Sequence, residues 1–285
     1  IDHLKNEKFN SEHLDLGSIK IITSTGSPLA EESFKYVYSN IKKNVHLSSI
    51  AGGTDLVGCL VLGNLYSKVH KGEIQGQSLG IDVDVFNEDG KSANDGEKGE
   101  LVVKQPFPSM PVKFWGDETG EKYHKAYFTK FENIWHHGDF IERTSNNGFI
   151  VSGRSDATLN PGGVRIGTSE IYQQVENINF ITEGLVVGQD YKDDVRIVLF
   201  VTTKDNEDLD DEKIQIIKAR IRKNCSPKHV PAIIIKAPAI PRTKSGKIVE
   251  LAVRKLINGE ELNNKEAIAN PESLDFFKNL SQLKI

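Results

Sequence analysis

Near residues 154–163 the pattern of apolar residues changes, and that change constrains what the chain can fold into more than any other feature. Before the join, residues 19–24 read as a short buried strand. Ser27-Pro28 follows as N-cap and first helical position, and Ala30, Phe34, Val37 and Ile41 then recur at helical spacing. Residues 45–50 read as the next strand, broken by Ala51-Gly52-Gly53. Ile81, Val83 and Val85 alternate with acids, and residues 100–104 return beside them after Asp89-Gly90. Residues 140–143 and 149–152 flank Asn146-Asn147-Gly148 as a hairpin. An α/β unit thus leads into antiparallel β structure. After the join come a short helix at 170–175, strands at 184–187 and 195–202, and a helix with Ile214, Ile217 and Ile221 on one face and Arg220, Arg222 and Lys223 off it. A strand at 231–236 and a last amphipathic helix, carrying Ile248, Leu251, Ala252 and Leu256 and stopped by Gly259, complete an α+β module. Two domains are expected, 1–155 and 156–285.

A length of 285 residues accommodates both, and 27% charged with 38% apolar residues suits an ordinary soluble globular protein. The net charge of -4 supplies no global basic field, so neither nucleic acid nor an anionic membrane is an expected partner. Phosphate binding, if present, has to be local. Cys59 and Cys225 are the only cysteines and form no CxxC pair, which suits free thiols in a reducing compartment. The longest apolar runs, such as 197–201, are too short to span a bilayer, and no signal-like segment opens the chain, so the cytosol is expected. The chain begins with Ile1 rather than Met, and a piece of a longer protein is expected.

Several short runs then occur in a telling order: Gly52-Gly53-Thr54-Asp55, Gly72-Glu73-Ile74-Gln75, Trp135-His136-His137-Gly138-Asp139, Gly153-Arg154-Ser155-Asp156-Ala157-Thr158-Leu159-Asn160-Pro161, Gly163-Val164-Arg165-Ile166-Gly167, and Ile240-Pro241-Arg242-Thr243-Lys244-Ser245-Gly246-Lys247. Along essentially its whole length the chain resembles the C-terminal portion of the adenylate-forming acyl-CoA synthetases, and the tail at 269–274 fits the same resemblance. The resemblance implies that 1–155 is the C-terminal part of a large AMP-binding domain. It implies a small, mobile α+β lid over 156–285. The implied chemistry has two steps: a carboxylate attacks the α-phosphate of ATP to give an acyl-adenylate and pyrophosphate, and the CoA thiol then displaces AMP. Both steps develop negative charge that must be neutralised.

Residue by residue, the resemblance gives Asp139 and Arg154 the ribose hydroxyls and sets Gly26, Ser27 and Pro28 against the adenine. Thr54 would touch the α-phosphate, and Asp55 would hold Mg²⁺ among the phosphate oxygens. Taken alone, His-Gly-Asp is equally a turn, Ser-Pro a plain helix start and Thr-Asp an Asx-type turn. Many relatives carry Glu where Asp55 stands. Gly52 and Gly53 would line the acyl pocket. Acetate-activating relatives carry Trp where Gly52 stands, so a glycine there favours acetoacetate over acetate, unless it serves backbone freedom instead. Asp156 resembles the hinge of the small domain, and a solvated loop aspartate is the alternative. Gly162 and Gly163 would let the pantetheine arm of CoA approach, or simply make a tight turn. Arg165 would meet phosphate or pyrophosphate; Arg222 is a candidate for the CoA 3′-phosphate or a solvated helix face. Lys247, after a Ser-Gly turn and before a helix starting at Ile248, would bridge carboxylate and α-phosphate during adenylation.

His136 and His137 lack further Cys or His at ligand spacing, so a metal site there is rejected. His13, His46, His70, His124 and His229 stand isolated, and no Ser-His-Asp set emerges. The phosphate loop ending in Pro-Lys, which embraces the β- and γ-phosphates in this superfamily, does not occur: Thr23-Ser24-Thr25-Gly26 is followed by Ser27-Pro28-Leu29. The isolated chain is therefore expected to lack productive ATP binding, to need a missing N-terminal region, and to expose surface that region would cover. The other readings are a ligase for propionate or a related short acid, and a truncated, non-enzymatic adenylate- or CoA-binding product.

Overall fold

A computed structural model describes residues 1–204, 207–262 and 266–284. The chain divides into two compact units, Ile1–Val151 and Ser152–Ile285, and the fold is mixed α/β with predominantly antiparallel sheets.

In the first unit, α1 (Asp2–Asn6) precedes β1 (Ile21–Ser24), α2 (Glu31–Tyr36) with a π-helical continuation at Val37–Ile41, and β2 (His46–Ser49). β1 and β2 pair in parallel, from Ile21 opposite His46 to Ser24 opposite Ser49. Phe34 and Val37 share one face of the helical stretch and pack on Leu47, which is what their spacing predicts. The helix starts later than the Ser27-Pro28 expectation. Ala30 is still extended (φ -65°, ψ 149°), so helical structure begins at Glu31, where Glu31 and Glu32 suit the positive end of the helix.

Three short strands follow, β3 (Ala51–Gly53), β4 (Gly58–Leu62) and β5 (Gly76–Gln77), paired antiparallel in that order. A second sheet has the order β6 (Val83–Phe86), β7 (Lys98–Val103), β8 (Trp135–Arg143), β9 (Phe149–Arg154), with α3 (Glu121–Tyr127) between β7 and β8. The acids alternating with valines on β6 do not all face water. Asp84 is buried, and Arg143 and Lys104 pair with it. Burial alone would raise its carboxyl, but the Val85 N–H, the Ser92 hydroxyl and Lys104 outweigh that and hold it below the ordinary aspartate value. Val85, Leu101, Ile141 and Trp135 form the core, and Tyr127 of α3 stacks on Trp135 at 3.6 Å.

The second unit carries α4 (Thr168–Val175), β10 (Ile181–Tyr191), β11 (Asp194–Thr203), α5 (Asp211–Asn224), β12 (Ile233–Lys236) and α6 (Glu250–Ile257). β10 pairs antiparallel with β11, and β11 pairs parallel with β12. Alternation along β10 and β11 makes a three-layer arrangement. Val186, Leu199 and Val201 meet Ile171, Val175, Ile217 and Ile221 of α4 and α5 on one face. Leu185, Val187, Val198 and Phe200 meet Val253 of α6 and Phe277 of the C-terminal segment on the other. The last helix starts at Glu250, not Ile248. Ile248 is held in a β-bridge with Arg242, and the Val249 N–H bonds the Pro241 carbonyl with Val249 at φ -104° and ψ 63°, so neither joins the helix. Leu251 is accordingly half-exposed, and Val253 supplies the core contact in its place. Among the described residues no helix is long and apolar enough to cross a membrane.

Candidate functional site

Parallel β-strands present their carboxyl ends as a shared edge, the usual place for ligand-binding loops in α/β structure. β1 ends in Thr25-Gly26-Ser27-Pro28, and β2 ends in the turn to Gly52-Gly53-Thr54-Asp55; the Ile50 N–H still bonds the Ser24 carbonyl. Two of the sequence-predicted segments therefore leave the same edge of one sheet. Gly26, at φ +97°, occupies the left-handed region, and Ser27 and Pro28 are exposed beside it.

Asp139 reaches this neighbourhood from the other sheet. His-Gly-Asp is not a free-standing turn: the whole run Trp135-His136-His137-Gly138-Asp139 lies within β8. The strand is irregular there: Glu100 of β7 faces Phe140, and Val102 faces His136. Between those pairs β7 has the single residue Leu101, whereas β8 has His137, Gly138 and Asp139. Such a bulge re-aims side chains, and Gly138 at φ +84° makes it possible. His136 stays in the ladder, its Nε2 3.0 Å from the buried Glu100 carboxylate that also binds Lys130.

The bulge and the β3 turn are in contact. A Cβ on Gly53 would lie 2.5 Å from Asp55 Oδ1 and 3.1 Å from His137 Cε1, so Gly53 leaves room for both. His137 is buried, accepts a 3.4 Å contact from the Trp135 indole N–H, and stands with Nε2 3.8 Å from Asp139 Oδ2. Thr54 and Asp55 are exposed, and the Asp55 charge also bears on Tyr123, whose hydroxyl is pushed up first by burial and then by that carboxylate. Gly53, with Asp55 on one side and His137 on the other, thus links the β3 turn to the bulge that carries Asp139. His137, set aside as a metal ligand, is the side chain at that contact. The only signal for it was its position inside the motif.

Gly52 has a different explanation. A Cβ there would meet the Gly58 carbonyl oxygen at 2.1 Å and Cys59 Cα at 2.7 Å, at a register shift between Ala51 and Gly52. The close approach of β4 requires glycine, whatever the acyl group, and backbone need is the reading the geometry favours. Cys59, half-buried beside it, is a free thiol pushed up by burial.

In the second unit, Arg154 ends β9, and Asp156 lies on a 3-10 turn at Ser155–Ala157; both side chains are half-exposed and 3.5 Å apart. The Asp156 carbonyl accepts a 3.1 Å hydrogen bond from Arg254 of α6. Gly162 and Gly163 take φ +58° and +77°, two consecutive left-handed residues that any side chain would strain. The Gly162 N–H is held by the Asp194 carboxylate at 2.8 Å, which with the Val195 N–H keeps that carboxyl below its ordinary value. Arg165 is half-buried next to Ile166, which bridges Leu159, and Arg222 lies exposed in the last turn of α5.

Lys247 sits on a tied turn. The Thr243 N–H bonds the Lys247 carbonyl at 2.8 Å, the Lys247 N–H bonds Thr243 Oγ1 at 3.0 Å, and Gly246 at φ +85° closes the reversal. Arg242 donates to the Gly246 carbonyl and to Glu183 of β10 at 2.6 Å each. The Lys247 ammonium is exposed and, among the described residues, has no hydrogen-bond or ion-pair partner.

No protein-family model matches the chain. Over 270 residues, 95% of the chain, it is 57% identical to acetoacetyl-coenzyme A synthetase of Rhizobium meliloti (strain 1021), covering 41% of that protein. The acetoacetyl-CoA synthetase of Streptomyces lividans superposes with a TM-score of 0.87 at 38% identity, over 95% of this chain and 42% of that one. A benzoate CoA ligase from Burkholderia xenovorans LB400 shares the fold, with a TM-score of 0.70 at 23% identity over 83% of this chain and 46% of that one. The chain spans about two-fifths of the length of the curated relatives it matches. In sequence and in fold, then, it is homologous to the C-terminal portion of the acetoacetyl-CoA synthetases, within the adenylate-forming superfamily.

Proposed function

We propose that the chain is the C-terminal part of an enzyme that joins acetoacetate to CoA through an acetoacetyl-adenylate, converting ATP to AMP and pyrophosphate in the cytosol. The observation that carries this reading is the 57% identity maintained over 95% of the chain. Domain limits of 1–155 and 156–285 make Asp156 the hinge about which the small domain turns between the two steps.

In this reading Asp139 and Arg154 hold the ribose hydroxyls, Gly26-Ser27-Pro28 lies along the adenine, and Thr54 donates to the α-phosphate. Asp55 offers one exposed carboxylate at a phosphate site, the donor set that suits Mg²⁺, which keeps waters and takes its remaining oxygens from phosphate. Bound there, the metal would neutralise phosphate charge. Arg165 and Lys247 supply cationic donors to the charge that develops as the carboxylate attacks, and among the described residues Lys247 has no partner to be displaced first. Gly162 and Gly163 border the pantetheine arm, and Arg222 meets the 3′-phosphate of CoA. The acyl pocket lies near Gly52 and Gly53. The phosphate-loop region supplied by the rest of the enzyme completes the site.

The test is pyrophosphate release by a chain of the relatives' full length, given acetoacetate, 3-hydroxybutyrate, propionate and acetate in turn. Acetoacetate is expected to give the highest kcat/KM. A higher value with propionate or acetate would overturn the assignment.

A further inference from the structure

The turn that carries Lys247 is fastened on both sides to one strand, and the second fastening lies in residues to which no role has been given. In front of the turn, Arg242 grips Glu183 of β10 with Nε at 3.0 Å and Nη2 at 2.6 Å. Behind it, Glu250 opens α6 three residues after Lys247, and its Oε1 accepts the Tyr172 hydroxyl at 2.5 Å. That hydroxyl in turn accepts the Val186 N–H of β10 at 3.1 Å, and the Thr168 side chain also hydrogen-bonds Glu250. One turn further along α6, Arg254 binds the Asp156 carbonyl. Thr168 itself stands against Gly153, where a Cβ would meet its Oγ1 at 2.8 Å. The Lys247 turn, the strand β10 and the Gly153–Asp156 segment are therefore joined through one small polar cluster of Glu250, Tyr172 and Thr168.

We infer that Glu250 is a positioning residue for adenylation: held by Tyr172 and Thr168, it sets the root of α6, and with it the direction in which Lys247 projects. A polar cluster in this setting is costly to build unless each member is satisfied, and an unpaired Tyr172 or Thr168 would be a penalty without this carboxylate. The front of the turn is held by Arg242 and by the bridge between Thr243 and Ile268, whereas the side of Lys247 that runs into α6 is held by Glu250, so loss of that tie leaves the helix root free to shift. Near-attack geometry is sensitive to displacements of about 1 Å, so loosening the rear tie should act on the rate of the step that uses Lys247.

This inference rests on the proposed role of Lys247, and the experiment separates the two. In a chain of full length, adenylation is followed by acetoacetate-dependent pyrophosphate exchange, and thioester formation is followed from supplied acyl-adenylate. Glu250→Ala is expected to lower kcat for adenylation about tenfold or more while KM for ATP and the thioester step stay within about twofold. Glu250→Gln, which keeps the acceptor for Tyr172, is expected to restore adenylation to within about threefold of the parent. If Glu250→Ala does not fold, Tyr172→Phe, which retains the ring and removes only the hydroxyl, decides by the same split. An equal fall in both steps, or no change in either with a folded protein, overturns the inference. Lys247→Ala run in parallel tells the two failures apart. Parental adenylation by that variant overturns the role of Lys247 and this inference with it, whereas its loss beside a fully active Glu250→Ala overturns this inference alone.

Discussion

The His137-Gly138-Asp139 bulge and the Thr243–Lys247 turn place chemistry by opposite means. In the first, a strand is made irregular inside a packed sheet, and the side chains it re-aims are buried. In the second, the chain leaves the core altogether, and the lysine is exposed on a reversal whose position is set by ties to a neighbouring strand. In the proposed reading Asp139 meets ribose hydroxyls, and a carboxylate in that role gains from a fixed, partly dry setting, where competing water is scarce. In the same reading Lys247 serves one step and leaves before the next, which suits an ammonium with no partner among the described residues. The difference predicts that mutations in the bulge cost stability and function together, whereas mutations on the turn cost function alone.

The largest effect should follow from removing the ammonium. In a full-length chain Lys247→Ala is expected to slow adenylation by about 10² to 10³-fold, with the unfolding midpoint unchanged and thioester formation from supplied acyl-adenylate retained. An unfolding midpoint that drops with activity would break the comparison. Next is Gly52→Ala, which forces a Cβ to 2.1 Å from the Gly58 carbonyl and should cost about 1–3 kcal/mol in urea unfolding. A neutral result would show that β3 and β4 move apart freely and would leave the acyl pocket as the reason for this glycine. Gly138→Ala, at φ +84°, should cost about 1–2 kcal/mol and weaken nucleotide binding with it; loss of stability with intact affinity would uncouple the bulge from Asp139.

Glu250 gives a smaller, pH-dependent effect. Burial, aided by the Asp156 charge, raises its carboxyl above the ordinary 4.5 despite the hydrogen bonds from Tyr172 and Thr168. The folded state therefore holds this proton more tightly than the unfolded state, and stability should fall as pH rises from 4.5 through the raised value. In Glu250→Gln that fall should disappear, which unfolding measured across the window would reveal. The smallest effect belongs to Arg222→Ala: an exposed residue in the last turn of α5 should change stability by less than about 0.5 kcal/mol, leaving any rise in KM for CoA as a pure binding signal.

The two regions were also unequally readable from residues alone. The strands at 184–187 and 195–202 were legible as short continuous apolar runs, since a strand covered on both faces shows no polar side, and the Ile217 and Ile221 face of α5 was legible because burial on one side imposes a helical period. Helix starts were not: Ala30 fits several conformations and is extended here, and Ile248 is kept out of α6 by its bridge to Arg242. The motif Trp135-His136-His137-Gly138-Asp139 was visible as a string, but its bulge was not, since register depends on the partner strand β7. Glu250 and Tyr172 carried no signal at all. They are 78 residues apart, and it takes the packing of both α4 and α6 on β10 to bring them together.

The doubly tied Lys247 turn has a consequence for how such a protein tolerates change. Its tip, residues 244–247, is exposed and contributes no side chain to either hydrophobic face of the second unit. Apart from Gly246, whose φ of +85° the reversal needs, folding therefore exerts little selection on what stands there, and in the proposed reading only the reaction does. A lineage that no longer needed the reaction would keep Arg242, Glu183, Tyr172 and Glu250 while the tip between them drifted.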